Sequence, residues 1–218
     1  MNREHRVVVV GVGGAGCKVV TRATAQKPMP GVEWVAVDAD TVALQLAEAQ
    51  HKVLIGKHIT RGLGAGDMAD VGRRGAEEAT DELSRLLQGA QTVIITCGLG
   101  GGTSSGAAPV IGRIAQGLGA WTAGVVSKPF PFEGRRRARL AEAGQDALVA
   151  HVDALIVVPY ERVLGLLGKN TLLQAFLATD RILLEMIQGL IGLDAARPGL
   201  DEIRAALPYG DIALVMAG

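Results

Sequence analysis

Short apolar runs rich in β-branched residues alternate along this chain with stretches whose apolar positions recur at helical spacing. Four consecutive valines, Val7 to Val10, open the pattern. A strand over 6–10 this uniformly apolar is buried on both faces and so belongs to a parallel sheet. Further strands are predicted over 32–37, 52–55, 92–97, 121–126, 154–158 and 212–216. Helices are predicted through about 25, over 41–49, 67–88, 107–118 and 201–207, with an arginine-rich one through about 150. A short helical segment follows the sixth strand. The strongest helix runs over about 171–193, where Leu173, Phe176, Leu177, Leu184, Ile187 and Ile191 form one apolar stripe. Arg197-Pro198-Gly199 stops it. Strands and helices in alternation predict an α/β fold, a doubly wound and mostly parallel sheet with helices on both faces. Ligands of such sheets bind outside the carboxyl ends of the strands. The 218 residues read as a single domain, 1–218, with no internal repeat or linker and a short terminal segment over 201–218.

Composition narrows the function. Lys+Arg and Asp+Glu number 22 each, so no net charge draws the chain to nucleic acid or to an anionic membrane. Hydrophobic residues make up 49% and aromatics only 3%, which leaves aliphatic and alanine packing to build the core. Cys17 and Cys97 lack metal or redox spacing and read as reduced thiols. Residues 1–6 are polar, without a signal-peptide pattern. No apolar run reaches the roughly 18 residues of a membrane span; the stretch from Ile182 to Leu193 is broken by Glu185 and Gln188. A soluble, cytoplasmic protein with no membrane segment is predicted.

The chemistry concentrates in glycine turns. Gly98-Leu99-Gly100-Gly101-Gly102-Thr103-Ser104-Ser105-Gly106 lies between the strand over 92–97 and the helix over 107–118. Glycine lets backbone approach a ligand closely, and N–H groups free at a first helical turn attract anions. Three hydroxyls add donors that rotate to suit phosphate oxygens. A second turn, Gly11-Val12-Gly13-Gly14-Ala15-Gly16, fits G-x-G-x-x-G after a strand, and Asp38 falls 22 residues beyond Gly16 at the end of the next one. That is the dinucleotide fingerprint in its proper context, which makes an NAD-type binder a rival reading. The phosphate-loop motif of NTPases fails, because Lys18 does not directly follow Gly16 and no Ser or Thr follows Lys18. A third turn, Gly62-Leu63-Gly64-Ala65-Gly66-Asp67, follows the third strand. Glycine turns after three strands of one sheet edge suit a triphosphate better than a dinucleotide.

These residues resemble the GTP-binding domain of the FtsZ/tubulin superfamily, on its FtsZ side, over nearly the whole chain. Gly100 to Gly106 is similar to the signature G-G-G-T-G-[ST]-G, with Ser104 in place of a glycine. The match continues in order through Gly11 to Gly14, Gly62 to Gly66, Val71-Gly72-Arg73, Lys128-Pro129-Phe130, Phe132-Glu133-Gly134 and Arg197-Pro198-Gly199-Leu200. The resemblance implies GTP or GDP as ligand, with Mg2+ accompanying GTP. It implies that Gly13, Gly14 and the loop Gly100, Gly101, Gly102, Thr103, Ser104, Ser105 and Gly106 wrap the phosphates. Ala65 and Gly66 would lie near the terminal phosphate, Glu133 would take the ribose hydroxyls, and Arg137 would lie over sugar and phosphate. Phe176 would stack on guanine and Asp180 would accept from its N1 and N2 hydrogens, which adenine cannot offer. Phe176 and Asp180 are four residues apart and share a helical face.

Plainer readings stand beside these. Phe176 fits a core stripe, Arg135, Arg136, Arg137 and Arg139 a solvated helix face, and Glu133 an ordinary turn. Asp67 fits either a helix cap or a carboxylate holding Mg2+ through water. Lys18, where the family has an Asn, points either at the phosphates or to solvent. Cys17, Asp38, Tyr160 and Thr179 also depart from the family's pocket residues. Family members hydrolyse GTP across a subunit contact, using a loop after the long helix. Here Gly199-Leu200 runs directly into Asp201-Glu202, so that loop is short and only Asp201 or Glu202 stands near its last acidic position. The chain ends at Gly218, after the nucleotide domain's last strand, without the family's second domain. The expectation is a guanine-nucleotide binder with weak or absent hydrolysis and reduced filament formation, self-associating as short oligomers if at all. An active polymerising GTPase is the alternative.

Overall fold

The computed structural model describes residues 5–26, 29–159, 171–193, 198–207 and 214–217. The expected short helical segment after the sixth strand, Tyr160 and Arg197 lie outside the described residues. Seven strands form one sheet: β1 (Val7–Val12), β2 (Val32–Asp38), β3 (His51–Leu54), β4 (Thr92–Gly98), β5 (Trp121–Lys128), β6 (Ala154–Pro159) and β7 (Leu214–Ala217). Their order is β3-β2-β1-β4-β5-β6-β7. All neighbours are parallel except β6 and β7, which pair antiparallel at one edge.

The valine run explains the layering. Successive side chains of a strand point to opposite faces. Val8 and Val10 therefore join one core and Val7 and Val9 the other. The first face is covered by α4 (Ala69–Glu78), α5 (Thr80–Leu87), α6 (Gly102–Gly117) and α7 (Arg135–Val149). The second is covered by α1 (Gly13–Thr24), α8 (Leu172–Ile191) and α9 (Leu200–Ala206). Short helices α2 (Thr41–Leu46) and α3 (Lys57–Thr60) lie in the connections around β3. The winding reverses between β1 and β4, and α1 and α6 start there side by side, at the carboxyl edge where such folds bind ligands.

Two helices differ from their periodicity. The stretch over 67–88 is two helices that meet at Ala79, where Thr80 turns its hydroxyl to the Glu77 carbonyl at 2.8 Å. Asp81 and Glu82 then occupy the first turn of α5, a helix start that the apolar spacing hides. Asp67 is not the cap: α4 begins at Ala69 behind Met68, with no side-chain cap. Helix α6 starts at Gly102 rather than 107, because the loop's hydroxyls bond back to backbone. Ser104 Oγ donates to Gly98 O at 2.6 Å, and Ser105 Oγ accepts from Gly100 N at 2.8 Å.

Helix α4 passes α6 almost backbone to backbone. A Cβ on Gly106 would run into the carbonyl oxygen of Ala69 and stand 2.6 Å from Arg73 N. Gly106→Ala is expected to destabilise the fold by about 1–3 kcal/mol, as overpacking does, lowering the urea midpoint. Gly117→Ala, at the open end of the same helix with nothing within 4 Å of the new methyl, is expected to leave the midpoint equal or higher.

Candidate functional site

A cavity of about 570 Å³ opens at the carboxyl edge of the sheet. From α1 come Gly13, Gly14 and Lys18; from the end of β2, Asp38 and Asp40. The turn after β3 adds Leu63 to Gly66, the turn after β4 adds Gly101, Gly102, Thr103 and Ser104, and the segment after β5 adds Pro129, Glu133 and Arg137. Helix α8 contributes Phe176 and Asp180. Residues scattered over most of the chain thus share one wall, because each crossover delivers its turn to the same sheet edge.

Backbone contacts fix the glycine turns relative to one another. Gly102 N donates to Gly66 O at 2.7 Å, and Gly64 N to Ala39 O at 3.0 Å. Asp40 and Leu63 form an isolated antiparallel bridge. Gly13 adopts φ 70°, a left-handed conformation that glycine takes without strain. Gly14 is different. A Cβ there would have nothing within 4 Å, so the protein's own packing does not demand glycine at this point of the wall.

The carboxylates are all engaged. Asp38 is 3% exposed, and its Oδ1 accepts from Ala39 N at 2.7 Å and Asp40 N at 3.3 Å. Burial pushes its pKa up, opposed by those bonds and one to the Thr103 side chain. Asp40 caps α2, accepting from Val42 N at 2.8 Å and Ala43 N at 3.1 Å. Glu133 accepts from Phe130 N at 2.8 Å and pairs with Arg137 at 3.2 Å. Asp180, 8% exposed, stands 3.5 Å from Arg22; burial raises its pKa, and the charges of Arg22 and Lys18 oppose the rise. Phe176 meets Phe130 edge to face at 5.3 Å, and Phe130 stacks on Phe132 at 4.8 Å. The thiols of Cys17 and Cys97 are buried, and burial pushes both up to about 12, so neither is a nucleophile at neutral pH.

Most sequence-predicted residues reach this wall, and the exceptions have visible reasons. Gly100 and Ser105 lie behind it, bonded to each other. Gly106 faces α4. Asp67 is outside, 3.8 Å from Arg136. Thr179 is fully buried and bonds Ala175 O at 2.9 Å. Neither Asp201 nor Glu202 lines the cavity. Lys18 lies on the wall, its charge acting on Asp180. Asp40 and Leu63 were not among the expected wall residues; the signal was there in Asp38-Ala39-Asp40-Thr41, a strand end followed by a helix start.

A doubly wound sheet with a glycine-lined cavity at its switch point defines the class of α/β proteins that bind ligands through backbone turns. The particular family follows from comparison with known proteins. The chain belongs to the Tubulin/FtsZ family, whose GTPase domain matches residues 6–168. The cell division protein FtsZ 1 of Pyrococcus furiosus is 43% identical over 220 residues, covering 99% of this chain and 59% of that protein. An empty FtsZ dimer of M. jannaschii superposes with TM-score 0.85 at 38% identity, covering 88% of this chain and 56% of that one. CetZ2 of Haloferax volcanii, solved as a GTPγS-bound protofilament, shares the fold at TM-score 0.76 and 23% identity, over 88% of this chain and 61% of its own. This chain therefore spans less than two thirds of the length of these relatives. None of these comparisons supports the dinucleotide reading of Gly11 to Gly16.

A buried acid whose pKa is raised on folding is held more tightly as the neutral form. Its ionised form costs stability above the folded pKa, and that cost vanishes as pH falls to the ordinary Asp value near about 3.9. Asn at 38 keeps an Oδ1 for both backbone bonds and carries no charge. Asp38→Asn is expected to raise the unfolding temperature at neutral pH, with the advantage shrinking on acidification in a thermal melt series.

Proposed function

We propose that the cavity holds a guanosine di- or triphosphate and that the isolated chain hydrolyses GTP slowly or not at all. The observation that carries the binding half is convergence: turns after β1, β3 and β4 and the N-termini of α1 and α6 meet at one cavity that also holds Phe176 and Asp180. Amides and positive helix ends suit phosphates. In this reading Gly13, Gly14 and Gly101 to Ser104 take the phosphates, with Ala65 and Gly66 near the terminal one. Glu133 and Arg137 take the sugar, Phe176 stacks on the base, and Asp180 accepts from guanine's N1 and N2 hydrogens. Among the described residues no three His, Cys, Asp or Glu side chains gather as a metal site. Mg2+ would then be held by the nucleotide's phosphate oxygens and by water, with Asp67, next to Gly66 of the wall, the carboxylate to reach it through water. The family's GTPase domain and the kinship to FtsZ support guanine as the base.

The slow-hydrolysis half follows from the carboxylates. On the wall, Asp38, Asp40, Glu133 and Asp180 are bonded to backbone or paired with a cation, and the two acids of the shortened loop, Asp201 and Glu202, do not line the cavity. Losing a positioned water costs several orders of magnitude in phosphoryl transfer. Glu202 is occupied too, accepting from Gly199 N at 2.8 Å. Asp201 is fully exposed, 3.8 Å from Arg204. That exposure favours a second reading in which Asp201 serves the nucleotide of another copy, as in a self-associating cytoplasmic GTPase.

Calorimetry against GDP, GTP, ATP and NAD tests the binding half; guanine nucleotides should bind and NAD should not. Gly14→Ala should fold normally yet weaken GDP by on the order of tenfold or more, because its methyl enters space that only a ligand needs. Equal affinity would remove the phosphates from this wall. Phosphate release with GTP and Mg2+ should be slow at every protein concentration. Turnover that rises steeply with concentration and is abolished by Asp201→Ala, with GTP binding intact, would establish the second reading instead.

A further inference from the structure

Arg22 sits one helical turn beyond Lys18 on α1, so both cations lie on one face of that helix. Arg22 Nη2 stands 3.5 Å from Oδ2 of Asp180 across the α1–α8 contact. Its Nε is buried and has no hydrogen-bond partner among the described residues. A buried unpaired donor is destabilising, and a partly buried ion pair at this separation is a weak source of stability. Fold stability therefore does not account for an arginine here.

Its electrostatic effect does. Asp180 is buried at the cavity wall, where desolvation favours the protonated acid, and the cations opposing that are Arg22 and Lys18. The other charged groups near α8 are engaged elsewhere. Arg181 and Glu185 pair with each other at 2.7 Å, Asp201 and Arg204 of α9 pair at 3.8 Å, and Glu202 bonds Gly199 N. The packed strand β5 is uncharged from Trp121 to Ser127, with Lys128 at its end.

We propose that Arg22 is the positioning residue for base selection, holding Asp180 as an anion whose oxygens accept from a purine edge with adjacent N–H donors. The proposal rests on the reading of the cavity as a guanine-nucleotide site. Guanine presents N1–H and N2–H to a carboxylate, but a protonated Asp180 would turn an O–H toward N1–H and lose that bond. Removing the arginine's charge lets the buried acid keep its proton to higher pH. Guanine affinity then falls over the pH range in which the acid keeps its proton in the variant but not in the wild type, and a base with a ring acceptor, such as adenine, is rejected less strongly there.

The test is calorimetry of GDP binding to wild type, Arg22→Met and Arg22→Lys between about pH 4.5 and about pH 8.5, with ADP as the competing base. The nucleotide's own titration is common to all variants and cancels in the comparison. Arg22→Met should bind GDP on the order of tenfold more weakly at the acidic end, recover toward wild type at the alkaline end, and narrow the GDP-over-ADP ratio at the acidic end. Arg22→Lys, which keeps the charge, should retain the wild-type profile. In an Asp180→Asn background, Arg22→Met should have no further effect, since it acts through Asp180. A profile for Arg22→Met parallel to wild type, at equal or uniformly lower affinity, overturns the assignment. Failure of the wild type to bind GDP at any pH overturns the reading of the cavity instead. Arg22→Gln carries the same test if the methionine variant does not fold.

Discussion

The architecture depends on how closely the backbone of α4 and its preceding turn approaches the start of α6. A Cβ on Gly102 would stand 2.7 Å from Gly66 O and from Met68 N, and one on Gly72 would collide with the Gly102 carbonyl. With glycine at these places the turns after β3 and β4 close into one wall, joined by the Gly102–Gly66 hydrogen bond of 2.7 Å. Packed interiors cannot absorb an extra methyl without displacement, so the wall has little freedom to deform. Ser104 and Ser105 complete the constraint by tying the loop to itself at 2.6 and 2.8 Å. The hydroxyls that look like free donors in the sequence are thus partly spent on shaping the loop, as are the N–H groups of Gly100 and Gly102.

Charge is arranged with equal economy. Every carboxylate on the cavity wall is bonded to backbone or paired with a cation, and two of them, Asp38 and Asp180, are buried enough for desolvation to raise their pKa values. Their bonds to backbone and to cations fix where their oxygens stand, which suits them to orienting a ligand. This separates binding from turnover in the proposed function. In that proposal one chain holds the nucleotide, and an exposed acid such as Asp201 of another copy is the group to steer water.

Much of the fold was legible because its signals are local. Four valines in a row require two covered faces, and β1 has them. Thr171 and Gln174 mark the start of the long helix, with Thr171 Oγ1 accepting from Gln174 N at 3.3 Å. The misjudged boundaries are places where a side chain overrides spacing. Periodicity carries no trace of the Thr80 hydroxyl interrupting the run over 67–88, or of serines bending back to let a glycine stretch become helical.

The sequence by itself determined the doubly wound sheet, the three glycine turns at its carboxyl edge and the family, because strand burial, turn chemistry and motif order are written in neighbouring residues. Only the tertiary structure decided which of those residues share a wall. It moved Gly100, Ser105 and Gly106 behind the loop, put Asp40 and Leu63 onto the cavity and seated Arg22 against Asp180. The reason is physical: contacts between separate elements, from Gly106 against Ala69 to Arg22 against Asp180, depend on how crossovers stack helices on the sheet, and no local pattern records that register.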